Sequence, residues 1–103
     1  MKKKYIIRYL PLFYRDLENI INYIKYDLQN DTAANRFVDE VENVIKERLQ
    51  SPESFEKYIS NKKRADTYYR IYVKNFTIFY VVKDDIMEVR RILYSRRNFD
   101  KLI

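Results

Sequence analysis

Tyr69-Arg70-Ile71-Tyr72-Val73-Lys74-Asn75-Phe76-Thr77-Ile78-Phe79-Tyr80-Val81-Val82-Lys83-Asp84-Asp85, then Ile86 to Tyr94, then Ser95-Arg96-Arg97-Asn98-Phe99, is the stretch on which the fold turns. β-Branched and aromatic residues dominate it, and two polar points, Lys74-Asn75 and Lys83-Asp84-Asp85, interrupt it. That pattern predicts three strands, at about 67–73, 76–82 and 86–94, joined by tight turns. In the first, Tyr69, Ile71 and Val73 share one face, and Tyr68, Arg70, Tyr72 and Lys74 share the other. The apolar face is expected to meet helices, leaving the other open, cationic and aromatic. In the first turn, Asn75 is the residue best able to replace glycine at positive φ.

Upstream, residues 4–10 alternate, with Tyr5, Ile7 and Tyr9 on one side and Ile6, Arg8 and Leu10 on the other, which reads as a first strand. Pro11 suits the first turn of a helix, where its missing N–H costs nothing. Phe13, Leu17, Ile20, Ile21, Ile24 and Leu28 then recur in steps of three and four, one apolar helical stripe. Asn30-Asp31-Thr32 breaks the stripe and supplies an N-cap. Ala34, Phe37, Val38, Val41, Val44, Ile45 and Leu49 form a second stripe. So short a link predicts an antiparallel helical hairpin. Ser51-Pro52-Glu53 reads as a brief turn, and residues 57–66 as a polar, basic loop. The order is β-α-α-β-β-β. It predicts an α+β fold, with a helical hairpin packed on one face of a mostly antiparallel sheet, in a single domain spanning residues 1–103.

Composition removes many chemistries. With no Cys, His or Gly among 103 residues, there is no disulfide frame, imidazole base, nucleophilic triad, P-loop or dinucleotide fingerprint. No carboxylate spacing suggests a metal site, and no cofactor is expected. No apolar run approaches the roughly 18 residues of a membrane helix, and the Lys-rich start lacks the apolar core of a signal peptide. A soluble cytoplasmic protein is expected. The net charge of +6 is uneven. Residues 11–51 carry five basic and eight acidic residues, whereas residues 57–74 carry six basic and one acidic. Such asymmetry serves solubility or steers toward an anionic partner. Lys57, Lys62, Lys63 and Arg64 read as a solvated surface or a steering patch.

In order and spacing, Tyr69-Arg70-Ile71, Phe79-Tyr80-Val81-Val82 and Ile92-Leu93-Tyr94-Ser95-Arg96-Arg97-Asn98-Phe99 resemble the RelE/ParE family of type II toxins. The resemblance runs along the whole chain and leans toward the ParE branch through the long hairpin and the Arg-Arg-Asn-Phe ending. It implies a growth-inhibiting toxin neutralised by a cognate antitoxin, an acidic protein whose disordered tail folds on binding. ParE-like members poison DNA gyrase; RelE-like members cut mRNA in the ribosome without a metal.

The nuclease chemistry needs a base at the 2′-hydroxyl, cations at the phosphate and an acid for the leaving oxygen. By the resemblance, Arg70 and Tyr72 stand where nuclease lysines lie, Arg97 aligns with a phosphate-contacting Arg, Tyr94 replaces a common His, and Thr77 a common Arg. The candidate catalytic residues are Arg70, Tyr72, Tyr94, Arg96 and Arg97. Arginine is not a base at its ordinary pKa and tyrosine is a poor one, so the residues favour the toxin fold over the enzyme. On composition alone Arg96-Arg97 is a solvated strand end and Tyr72 and Tyr94 are packing residues. Tyr68, on the face of Arg70, is a candidate stacking surface. A basic nucleic-acid-binding module without toxicity is the remaining alternative.

Overall fold

The structure is a computed structural model, and it describes residues 4–55, 57–58, 66–97 and 99–103. Lys62, Lys63, Arg64 and Asn98 lie outside the described residues. Strand β1 spans Ile6–Tyr9, helix α1 Pro11–Asn22 and helix α2 Asp31–Arg48. Strands β2 (Tyr69–Val73), β3 (Phe76–Lys83) and β4 (Ile86–Tyr94) follow, then the short helix α3 (Phe99–Leu102). The sheet order is β1-β4-β3-β2. β1 runs parallel to β4, and the other neighbours are antiparallel.

Local chemistry sets the helix ends. Pro11 opens α1, and the Asn30 side chain accepts a hydrogen bond from the Ala33 N–H at 3.0 Å to cap α2. Lys46 and Arg48 in the last turn of α2 complement its dipole. α2 buries Ala34, Phe37, Val41 and Ile45 at helical spacing. They join Phe13 of α1 and the inner side of the sheet: Tyr69, Ile71 and Val73 of β2, Ile78 and Tyr80 of β3, and Met87, Val89 and Ile92 of β4.

The apolar stripe of α1 does not run straight to Leu28. Residues Tyr23–Asp27 form a π turn, closed by the Leu28 N–H donating to the Tyr23 carbonyl at 3.1 Å. The wider turn carries Leu28 off the stripe, and it is exposed. In the β2–β3 turn the left-handed residue is Lys74 (φ 52°), and Asn75 is not among the described positive-φ residues.

Two features of the sheet are absent from a simple alternating pattern. The β3–β4 register slips between Phe79 and Tyr80, which face Arg91 and Val89, so Arg90 has no partner on β3. The face opposite the hairpin is also not open throughout. Tyr68, Phe79, Val81 and Leu93 are buried there under Tyr58, Phe99, Leu102 and Ile103. Tyr68 is therefore not the exposed stacking surface expected of it. Its hydroxyl accepts from Arg90 Nη1 at 2.9 Å.

Candidate functional site

The bulge decides where the candidate residues go. Met87 and Val89 face the hairpin, and after the extra residue so does Ile92. Tyr94 keeps that parity. It lies opposite Phe76, with ring centroids 5.8 Å apart, and Phe76 in turn packs on Phe37 of α2 at 5.3 Å. Tyr72 lies opposite Thr77, and Thr77 opposite Leu93 of the outer cluster. Tyr94 and Tyr72 therefore occupy opposite faces of the sheet.

On the outer face, Arg70 is sandwiched. Its guanidinium carbon is 5.2 Å from the Tyr58 ring centroid and 5.5 Å from that of Tyr72. Tyr58 is held beside β2 by its N–H, which donates to the Tyr68 carbonyl at 2.7 Å. Tyr72 is 62% exposed. Thr77, where an arginine was common in the resemblance, is buried with its hydroxyl 2.8 Å from that of Ser95.

The Arg96-Arg97 turn starts at that contact. The Ser95 N–H donates to the Asn75 carbonyl at 2.8 Å, and the Arg97 N–H to the Tyr94 carbonyl at 3.0 Å. The paired arginines are thus pinned against the β2–β3 turn, and both are exposed. Of the five candidates, Arg70 and Tyr72 are in contact, Arg96 and Arg97 begin beside Thr77 on the same row, and Tyr94 stands on the far face.

Tyr94 instead lines a groove of about 770 Å³ between the hairpin and the turn end of the sheet. Ile20, Ile24, Leu28, Phe37 and Phe76 supply its apolar wall, with Arg36 and Lys74 at its edge. Lys74 is 3.5 Å from Glu40 of α2. Leu28, a member of the apolar stripe in the sequence, lines this groove because the π turn carries it off that stripe.

Arg48 was also missed. Its place in the last turn of α2 reads as dipole compensation. In the fold its Nη1 donates to the Tyr80 hydroxyl (2.9 Å) and the Arg70 carbonyl (3.1 Å), and Phe55 stacks on its guanidinium at 3.5 Å. The Tyr80 hydroxyl donates to the Pro52 carbonyl at 2.7 Å. Burial raises the pKa of Tyr80, against the smaller opposing pull of Arg48.

The far end of the outer face is charge-compensated. Glu88 accepts from Arg90 at 2.8 Å and lies 3.6 Å from Arg8, and Asp66 pairs with Arg90 and Lys83. Burial works against the Arg90 charge, but hydrogen bonds to Tyr68 and Glu88 raise its pKa overall. Among the described residues no cluster of three acidic side chains could hold a metal ion, and no helix is long and apolar enough to cross a membrane. Chemically, the outer face offers cations and a ring, and the groove offers an apolar slot.

The sequence profile of the ParE toxin of the type II toxin–antitoxin system parDE matches residues 7–99. Comparison with curated proteins gives no match. Among solved structures, the fold is similar to a chain of the chromosomal ParDE system from P. aeruginosa, with a TM-score of 0.76 at 14% identity over 91% of this chain and 99% of that one. It is also similar to a chain of the E. coli DinJ–YafQ toxin–antitoxin complex, with a TM-score of 0.57 at 8% identity over 88% and 92%. A third similar chain is from the RelB–RelE antitoxin–toxin complex of Methanococcus jannaschii, with a TM-score of 0.52 at 20% identity over 92% and 98%.

Proposed function

This chain belongs to the family of ParE toxins of type II toxin–antitoxin systems, and from that premise we propose that it is a single-domain cytoplasmic toxin that inhibits growth by acting on DNA gyrase and is neutralised by a cognate antitoxin. The observation that carries the choice of target is the separation of Tyr94 from Arg70 and Tyr72 by the sheet. A phosphodiester-cleaving site needs base, cations and acid around one phosphate. Here the tyrosine that replaces a nuclease histidine is on the hairpin face, and buried Thr77, its hydroxyl against that of exposed Ser95, stands where a further cation would be. Arginine stays protonated in proteins and cannot take up a proton. An inhibitor that works by binding has none of these requirements.

The antitoxin reading is supported by the groove and by the toxin–antitoxin complexes in which similar folds were solved. An apolar slot with Arg36 at its edge fits an amphipathic acidic segment that folds as it docks.

Induction of the gene alone is expected to arrest growth, with purified toxin inhibiting gyrase supercoiling and primer extension showing intact mRNA. Codon-phased mRNA cuts within minutes, with supercoiling unaffected, would instead assign the chain to ribosome-dependent mRNA cleavage. Normal growth with folded protein present would leave the nucleic-acid-binding module as the reading.

A further inference from the structure

The groove lined by Tyr94 joins a long apolar wall to a single unbalanced charge. Ile20 of α1, Ile24 of the π turn and Leu28 at its close supply aliphatic surface. Phe37, Phe76 and Tyr94 follow one another as a wall of rings, with centroids 5.3 and 5.8 Å apart and planes tilted by 61° and 60°. Leu28 and Tyr94 are exposed, so this surface is open to solvent. Among the described residues none that lines the groove is acidic, and two are cationic, Arg36 and Lys74. Lys74 is 3.5 Å from Glu40, which lies one turn along α2 from Arg36. The three charges therefore meet at one place on the edge. Glu40 offsets Lys74, and among the described residues Arg36 is in no ion pair, which leaves one net positive charge there. The volume of about 770 Å³ falls within the roughly 300–1,000 Å³ of small-molecule sites.

We propose that this groove binds an amphipathic monocarboxylate, a fatty acid whose chain lies along the aliphatic and ring wall and whose headgroup sits at Arg36. One net cation answers one carboxylate, as a charge-assisted hydrogen-bond donor. A fatty ammonium of the same length would meet Arg36 with like charge. A phosphomonoester dianion would keep one of its charges uncompensated. The wall takes methylenes by the same transfer out of water that builds a core. The outer face of the sheet offers no such wall, because its aliphatic residues Val81 and Leu93 are 1% and 2% exposed. The inference goes beyond the antitoxin reading, in which the slot takes a protein segment, and binding is read on this chain alone.

The test is calorimetric titration of the purified full-length protein with octanoate, decanoate and decyltrimethylammonium, each below its micelle concentration. Decanoate is expected to bind saturably at one site, with a negative heat-capacity change that marks apolar burial. It should bind roughly fifteenfold tighter than octanoate, because two further methylenes leave water, and tighter than decyltrimethylammonium, which has the same chain. Arg36→Gln should weaken decanoate by about two- to fivefold, as for an exposed charge contact, and narrow its lead over the ammonium. Ala33→Phe, which fills the slot from the first turn of α2, should abolish binding. Leu28→Ala, at an exposed position that the fold does not need buried, should weaken it. Lys46→Ala, which removes a charge from an exposed site elsewhere on α2, should leave it unchanged. Thermal melting of each variant establishes that it is folded. Three results overturn the proposal: no saturable decanoate binding, which leaves the slot to a protein segment; equal binding of the ammonium; or wild-type affinity in both Ala33→Phe and Leu28→Ala. A dimer in sedimentation equilibrium that Ala33→Phe dissociates would give the slot to a second copy and overturn it as well. Failure here leaves the growth and supercoiling results standing, and failure there leaves the titration standing.

Discussion

Asp16 of α1 grips Arg91 of β4 through two hydrogen bonds, at 2.7 and 2.9 Å, and its carboxylate also accepts from the Ile92 N–H at 3.2 Å. The contact has a topological cause. β1 ends at Tyr9, opposite Val89, so the last five residues of β4 have no strand on that side. Asp16 caps a donor that would otherwise lack a ladder partner. Arg91 in turn donates to the Leu102 carbonyl at 2.7 Å and ties down α3. The pair is mostly buried, with side chains 16% and 11% exposed, and the hydrogen bonding that Arg91 donates to Asp16 is the main cause of a raised Arg91 pKa.

Asp16→Ala should therefore destabilise the protein by about 3 kcal/mol, the low end for leaving one charge of a buried pair uncompensated. Asp16→Ala combined with Arg91→Met should recover part of that loss, because no unpaired charge then remains. Urea denaturation of the two variants measures the difference. Equal losses would mean that the Ile92 cap, and not the charge pair, carries the energy.

The element order was legible because each signal was local. Pro11 and Asn30 marked helix starts, and the alternation of Tyr69, Ile71 and Val73 fixed the faces of β2. The site was harder to read because one residue changes parity. Unbroken alternation from Met87 and Val89 would put Tyr94 on the face of Tyr72, whereas the bulge at Arg90 moves it to the hairpin side. The three-residue step from Val89 to Ile92 is the trace of that bulge in the sequence. The parallel β1–β4 pairing and the cover over Tyr68 rest on contacts far apart in the chain, which no periodicity reports.

A chain without glycine must fill its left-handed positions with other residues. Gln29 (φ 51°) ends the π turn, followed by the Asn30 N–H donating to the Ile24 carbonyl at 3.1 Å. Glycine is the usual residue at such a helix end. Relief of the left-handed conformation, at 1–2 kcal/mol, outweighs the roughly 0.5–1 kcal/mol of extra chain entropy. Gln29→Gly should raise stability by about 0.5–1 kcal/mol, read as a higher urea midpoint with unchanged slope.

The buried tyrosines predict how stability falls at high pH. Burial raises the pKa of Tyr80, Tyr69 and Tyr9. A group whose folded pKa exceeds its unfolded one contributes stability that is fully present below the unfolded value, about 10 for tyrosine, and lost as pH rises through the folded one. The urea midpoint should therefore show no tyrosine-linked fall from pH 7 to about 9 and should drop above 10. Tyr80→Phe should shallow that drop. At pH 7 it should cost about 1–2 kcal/mol, because Arg48 and the Pro52 carbonyl lose a partner. An unchanged alkaline slope would place the linkage on the other tyrosines.

The Arg96-Arg97 turn separates function from stability most cleanly. Its backbone is held by Ser95 and Arg97 N–H groups, donating to the Asn75 and Tyr94 carbonyls, so its geometry does not need the two guanidinium groups. Both side chains are exposed and, among the described residues, neither is in an ion pair. Arg96→Ala with Arg97→Ala should leave stability within about 0.5 kcal/mol of wild type, as for surface substitutions away from special sites. Toxicity should fall nonetheless, since an interface arginine that contributes 1.4 kcal/mol or more to target binding costs about tenfold in affinity when removed. Growth after induction, compared at matched protein levels with the thermal melt of the same variant, gives both readings. Lost toxicity with an unchanged melt assigns the turn to the target contact. A large drop in melting temperature would instead make the arginines part of the scaffold, and an unchanged toxicity would move the contact elsewhere on the sheet.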